Sequence, residues 1–266
     1  MSVLQSICDD RRRAVALQRS RHDVVGFRES AYYEAPVRSL RAALQAEGLS
    51  VIAEHKRASP SEGDYGQALG PVEIAKAYQA AGASAISVLT EPNRFGGSLD
   101  HLTAIRRAVR VPILRKDFIV DAYQLHEAKA AGADAVLLIA AALTLEEATE
   151  LRTVAHHLGL EVLLEVHGRE ELEYLSIDPD VIGINNRNLK TLKIDLATSE
   201  ELYGALPPNA TKISESGIAT PTDALRMQRA GYDGLLVGTQ FMKTAAPGDA
   251  LAQLLASVRN PQLQGA

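Results

Sequence analysis

Five short apolar runs in this chain end on residues that can bind, give or take protons. Val51-Ile52-Ala53 ends on Glu54-His55-Lys56, Pro112-Ile113-Leu114 on Arg115-Lys116, Val162-Leu163-Leu164 on Glu165, Val181-Ile182-Gly183-Ile184 on Asn185, and Ile213 on Ser214-Glu215-Ser216. Lysines and carboxylates sharing a water-poor pocket hold one another ionised or split their pKa values, which supplies acids and bases near neutral pH. An apolar strand hides its body in a core, so a charge placed only at its last position is delivered to one end of that core. Taken alone, Glu54 with Lys56 reads equally well as an ion pair at a strand end. A purely structural account must repeat that coincidence five times.

Side chains alternate faces along a strand, so Ile52, Glu54 and Lys56 share one face and His55 the other, where a packed or capping histidine is expected. Further candidates lie in the connecting loops. Ser216-Gly217-Ile218 and Val237-Gly238-Thr239-Gln240 offer backbone N–H groups to a phosphate, and Ser59 in Ala58-Ser59-Pro60-Ser61 offers a hydroxyl. The same pairs are also ordinary turn residues. Phe95, Phe118 and Leu189 either wall a pocket for an aromatic ring or cover a rim, and Arg187 either clamps a carboxylate or sits in a surface salt bridge. No His/Cys cluster points to a metal, and carboxylates interleaved with lysines make a poor Mg²⁺ site, so neither metal nor cofactor is expected.

Positioning these groups falls to eight predicted strands, near 51–56, 85–89, 112–116, 135–139, 161–166, 181–185, 211–215 and 234–238. Most are continuous apolar runs, as in a parallel sheet buried on both faces, and each precedes a helical candidate. Near-repeats such as Ala81-Gly82-Ala83-Ser84-Ala85 and Ala131-Gly132-Ala133-Asp134-Ala135 mark where a helix stops at glycine and the next strand starts. Eight such units predict an α/β fold, a single (β/α)8 TIM barrel over 51–258. Residues 1–50 form an N-terminal helical extension, with helices from Val3 to about Arg19 and from about Pro36 to Ala46, and 259–266 a C-terminal tail. An open doubly wound sheet is the alternative, disfavoured by the missing glycine-rich turn after strand 1.

The composition suits one globular domain: 266 residues, 46% hydrophobic and 23% charged. A formal charge of -5 excludes a general basic field for nucleic acid, though not a local anion pocket. Absence of a signal pattern or long apolar run argues against a membrane, and the lone Cys8 fits a reducing, cytoplasmic setting.

These residues, in this order, resemble the indole-3-glycerol phosphate synthase family. The resemblance rests on Ile52-Ala53-Glu54-His55-Lys56-Arg57-Ala58-Ser59-Pro60-Ser61, Ser87-Val88-Leu89-Thr90-Glu91, Leu114-Arg115-Lys116-Asp117-Phe118-Ile119, Leu164-Glu165-Val166-His167, Gly183-Ile184-Asn185-Asn186-Arg187-Asn188-Leu189 and Ser214-Glu215-Ser216-Gly217-Ile218. It spans about residues 35 to 258. It implies ring closure, decarboxylation and dehydration of 1-(2-carboxyphenylamino)-1-deoxyribulose 5-phosphate, without a cofactor. By resemblance, Lys116 is the general acid at the ribulose carbonyl and Lys56 pairs with the anthranilate carboxylate. Glu54 and Glu165 handle protons and stabilise the iminium charge, while Asn185, Glu215 and Ser216 orient sugar hydroxyls and lysines. Ser59, Gly217, Gly238 and Thr239 hold the phosphate, and Phe95, Phe118, Arg187 and Leu189 shape the rest.

Three stretches depart from the family pattern: Glu62 where lysine is common, Thr239-Gln240 after Gly238, and His55 where an apolar or aromatic residue is usual. The expectation is a monofunctional enzyme, monomeric or weakly dimeric. A catalytically silent sugar-phosphate-binding paralogue and another phosphate-binding barrel, such as phosphoribosylanthranilate isomerase, are the alternatives.

Overall fold

The strands β1 (Ser50–His55), β2 (Ala85–Leu89), β3 (Ile113–Lys116), β4 (Ala135–Ile139), β5 (Glu161–Val166), β6 (Val181–Asn185), β7 (Thr211–Glu215) and β8 (Gly234–Val237) close into a parallel barrel in a computed structural model. Every strand pairs with its sequence neighbours, and β1 closes the ring on β8 through registers such as Ile52↔Leu236. The structure describes residues 3–21, 23–60 and 62–259. Ser61 lies outside the described residues, as does the expected tail apart from Arg259.

Alternation sorts the strand side chains into two layers. Ile52, Ala85, Leu114, Ala135, Leu137, Ile139, Leu163, Val181, Ile213 and Leu236 form an inner cluster within the barrel. Val51, Ala53, Ile86, Val88, Val136, Leu138, Val162, Leu164 and Ile184 face a second cluster shared with the helices. That outer ring includes α3 (Pro71–Ala81), α4 (Pro92–Phe95), α5 (Leu99–Ala108), α6 (Tyr123–Ala131), α7 (Leu145–His157), α8 (Ala197–Tyr203), α9 (Pro221–Ala230), α10 (Thr239–Met242) and α11 (Pro247–Arg259). After β5 the connection is a 3₁₀ helix, Arg169–Ile177. The predicted glycine stops at Gly82 and Gly132 hold, and Gly231 behaves in the same way, each ending a helix with positive φ.

The N-terminal extension serves both ends of the barrel. Its first helix, α1 (Val3–Arg21), crosses the end where the strands terminate, while α2 (Leu40–Leu44) closes the opposite end. Leu40 and Leu44 are fully buried in the inner cluster, each worth about 1.5–3 kcal/mol of burial. The second helix is shorter than the expected run from Pro36. Ser39 caps it by accepting from the Ala42 N–H, and the Arg38 N–H is drawn to Asp134 Oδ1, so residues 36–39 stay outside the helix.

Candidate active site

The inward-facing parity that buries Ile52, Leu114, Leu163, Val181 and Ile213 carries on to Glu54, Lys116, Glu165, Asn185 and Glu215, two or four residues later. Lys116 Nζ lies 2.9 Å from Glu165 Oε2 and 2.7 Å from Glu215 Oε2, so one ammonium bridges two carboxylates across the barrel. Beside them Lys56 Nζ lies 2.9 Å from Glu54 Oε1. Two inward glycines make the room: a Cβ at Gly238 would come within 2.5 Å of Glu54 Oε1, and one at Gly183 would collide with Glu215 Oε1.

Burial opposes the charge on Lys116, yet Glu165, Glu215 and Glu54 outweigh it and hold the amine above the ordinary lysine range. Burial likewise opposes ionisation of Glu165, but Lys116 and then His167 bring its carboxyl well below the usual range. For Glu215 burial prevails over the pull of Lys116, and with Glu165 adding repulsion it is pushed up to about 7. The two carboxyls on one lysine therefore have opposite proton affinities, the arrangement that gives a base and an acid at one pH.

The loops after β1, β7 and β8 meet at one side of the mouth. Tyr65 OH stands 3.2 Å from both Ser59 Oγ and Thr239 Oγ1, joining the first loop to the last. Ser216 and Gly217 are both left-handed, with φ of 66° and 84°. For Ser216 that conformation costs about 1–2 kcal/mol, and buried Asn186 holds it by donating from Nδ2 to the carbonyls of Glu215 and Ser216.

The other side is apolar. Phe95 and Phe118 face each other at 6.1 Å between ring centroids. Glu91, fully buried, accepts from the N–H groups of Asn93, Arg94 and Phe95 and so fixes the short helix that carries Phe95. Val3, Leu4 and Ile7 of α1 complete the wall of a cavity of about 540 Å³, a size suited to a small ligand. All fifteen residues singled out by sequence line this cavity: Glu54, Lys56, Ser59, Phe95, Lys116, Phe118, Glu165, Asn185, Arg187, Leu189, Glu215, Ser216, Gly217, Gly238 and Thr239. His55 points away from it into the helical layer, edge-on to His101.

Sequence reasoning missed three contributing side chains, Tyr65, Asn186 and His167, and did not place the expected N-terminal helix over the cavity. His167 Nε2 lies 3.1 Å from Glu165 Oε1, and its position two residues past Glu165 was the available signal. The docking of α1 runs through Arg11, whose NH2 donates to buried Asp117 Oδ2 at 3.0 Å, next to Lys116 and Phe118. Asp117 Oδ2 also accepts from Arg115 and Thr90. Among the described residues no three His, Cys, Asp or Glu side chains are grouped to hold a metal, and no helix is long and apolar enough to cross a membrane.

A family model described as indole-3-glycerol phosphate synthase matches residues 4–254. Relatives carrying that name include one from Bacteroides thetaiotaomicron, 48% identical over 97% of this chain and 99% of the relative. Another, from Kineococcus radiotolerans, is 43% identical over 99% of this chain and 98% of its own length, and one from Rhodococcus jostii is 46% identical over 98% and 97%. Among solved structures, thiamine phosphate pyrophosphorylase from Pyrococcus furiosus superposes with a TM-score of 0.62 at 17% identity, covering 85% of this chain and 100% of that one, a likeness of fold alone.

Proposed function

The chain belongs to the indole-3-glycerol phosphate synthase family, and from that premise we propose how its own side chains carry out the family's reaction. It converts 1-(2-carboxyphenylamino)-1-deoxyribulose 5-phosphate to indole-3-glycerol phosphate, CO₂ and water. The aromatic carbon bearing the carboxylate attacks the ribulose carbonyl, a C–C bond forms, and the carbonyl oxygen becomes a hydroxyl by taking a proton from Lys116. The bond to the carboxylate then breaks, its electron pair restores the aromatic ring, and CO₂ departs. In the last step the hydroxyl leaves as water with a proton from Lys56, and the carbon beside nitrogen gives its proton to a carboxylate.

In this reading Lys56 pairs with the substrate carboxylate until it is lost, which frees the amine to act as the dehydration acid. Glu165 takes the proton, while Glu54 holds Lys56 and helps stabilise the iminium charge. Asn185, Glu215 and Ser216 orient sugar hydroxyls and the lysines. Ser59, Gly217, Gly238 and Thr239 bind phosphate, with Phe95 and Phe118 against the anthranilate ring and Arg187 and Leu189 closing the pocket. Preorganised charge in a water-poor site is the main catalytic device. The observation that carries the reading is Lys116 held between Glu165 and Glu215 on the inner face of the cavity.

We take residues 51–258 as the catalytic barrel and 1–50 as its extension, working in the cytoplasm as a monomer or weak homodimer. No cofactor, nucleic-acid or membrane partner enters the scheme. The test mixes purified protein with the substrate, with and without a chelator, and follows indole fluorescence. Product formation insensitive to the chelator is expected. Saturable quenching of the substrate's fluorescence without product would overturn the catalytic assignment in favour of a silent binding protein.

A further inference from the structure

Lys116 sits almost midway between Glu165 and Glu215, and one ammonium cannot neutralise two buried carboxylates. By Lys116 alone the proton could rest on either. The environments differ on the far sides. Glu165 Oε1, the oxygen that Lys116 does not use, faces His167 Nε2 at 3.1 Å. The imidazole is held from behind by Glu171 of the 3₁₀ helix 169–177, whose Oε2 is 3.3 Å from Nδ1 and also accepts from the His167 backbone N–H at 2.7 Å. Glu215 Oε1 is buried and has no hydrogen-bond partner among the described residues.

We propose that His167 is a positioning residue that breaks the near-symmetry of the two carboxylates on Lys116, keeping Glu165 as the proton acceptor and leaving the shared proton on Glu215; this rests on the reaction assigned above. The charges run in alternation from Glu171 through His167 and Glu165 to Lys116, and Glu215 beyond the lysine carries the proton. Glu54, on β1, is already paired with Lys56. Burial disfavours the imidazolium, but Glu165 and Glu171 raise His167 to about 9, so the ring is cationic at neutral pH. Nε2 lies off the line of an aligned hydrogen bond to Glu165. The ring therefore acts on Glu165 as a close neighbouring cation, which distinguishes it from a group that only tethers the loop.

Two measurements test this. In unliganded protein, NMR titration of the His167 imidazole, assigned with His167→Gln, should show an apparent pKa well above 6.5 that drops in Glu165→Gln. In turnover, the lower-pH limb of kcat in His167→Gln should move up by about one pH unit as Glu165 loses a nearby cation, with KM changed less than about two-fold. His167→Lys, which restores charge but not shape, should return the limb toward its original position. A His167 that titrates at or below 6.5 overturns the proposal. So does a His167→Gln profile that is only scaled down, with its limb unmoved. Failure of the wild-type protein to turn over substrate at any pH would instead count against the assigned reaction, and the imidazole titration would still decide the role of His167.

Discussion

Two buried charge clusters sit at opposite ends of the barrel, and they differ in how fully their atoms are satisfied. At the end closed by α2, Arg106 NH1 donates to Asp134 Oδ1 at 2.8 Å and Oδ2 at 2.6 Å, and Asp134 also accepts from the backbone N–H groups of Arg38 and Ile113. Both carboxylate oxygens are occupied. At the other end Lys116 is shared, Glu215 Oε1 is orphaned, and Glu215 is pushed up to about 7, chiefly by burial. Paired cations and carboxylates thus build a closed structural joint where every lone pair is used, and a candidate proton-exchanging site where some are not.

Breaking each cluster should separate activity from stability. Lys116→Ala removes the proposed carbonyl acid and should lower kcat by roughly 10³–10⁴ fold, near the upper range for a positioned acid, in a protein that still folds but with a lowered urea midpoint, because two buried carboxylates lose their ammonium. Indole fluorescence and denaturant titration read the two quantities. Arg106→Ala strands the Asp134 carboxylate and should cost about 3–5 kcal/mol of stability. The molecules that remain folded should retain wild-type turnover. Unchanged turnover in Lys116→Ala, or a stable but inactive Arg106→Ala, would erase the distinction between the two ends.

The active end was legible because an apolar run of period two leaves one place for a charge. Each of Glu54, Lys116, Glu165, Asn185 and Glu215 follows an inner-layer residue by an even step, so barrel and cavity could be read together. His167 carried a weaker signal: it keeps the parity of Glu165 but lies just past the end of β5. The Arg11–Asp117 contact spans 106 residues, and no local pattern connects them. Asn186 escaped because its work is to hold backbone carbonyls across β6 and β7. Period and punctuation expose local geometry, whereas contacts between separate loops become visible only when the barrel closes.

The two faces of the barrel wall offer a subtler contrast in their histidines. On the outer face of β1, His55 is lowered to about 4 by burial, then by His101 and Arg57, with Glu54 opposing. Its Nδ1 has no hydrogen-bond partner among the described residues. The unfolded chain therefore binds the extra proton first: stability from neutral His55 is intact above pH 6.5 and is lost progressively as pH falls toward 4. His167 has the opposite sign, its contribution being present below 6.5 and lost as pH rises through about 9. Replacing His55 with phenylalanine should remove the acid-side loss, giving an advantage that grows to about 2 kcal/mol as pH falls from 7 to 4.5. Urea midpoints across that range measure it; a constant difference would assign the effect to packing instead.

The smallest effect belongs to a third kind of pair, exposed at the cavity mouth. Glu62 lies 2.9 Å from Lys243, and both residues line the cavity. Pairing with Lys243, helped by Arg187 and Lys56, holds the Glu62 carboxyl below its usual range. Both side chains reach water, so the pair adds little to stability, but its charge lies beside the entry route of an anionic substrate. Glu62→Lys should leave kcat unchanged and lower KM by about two- to three-fold at low ionic strength. That gain should vanish at about 1 M salt, where the screening length is ~3 Å. If kcat fell instead, the first loop would have to be joined to the chemistry through Ser59, Tyr65 and Thr239, and the boundary between the steering rim and the reacting cluster would have to be redrawn inward.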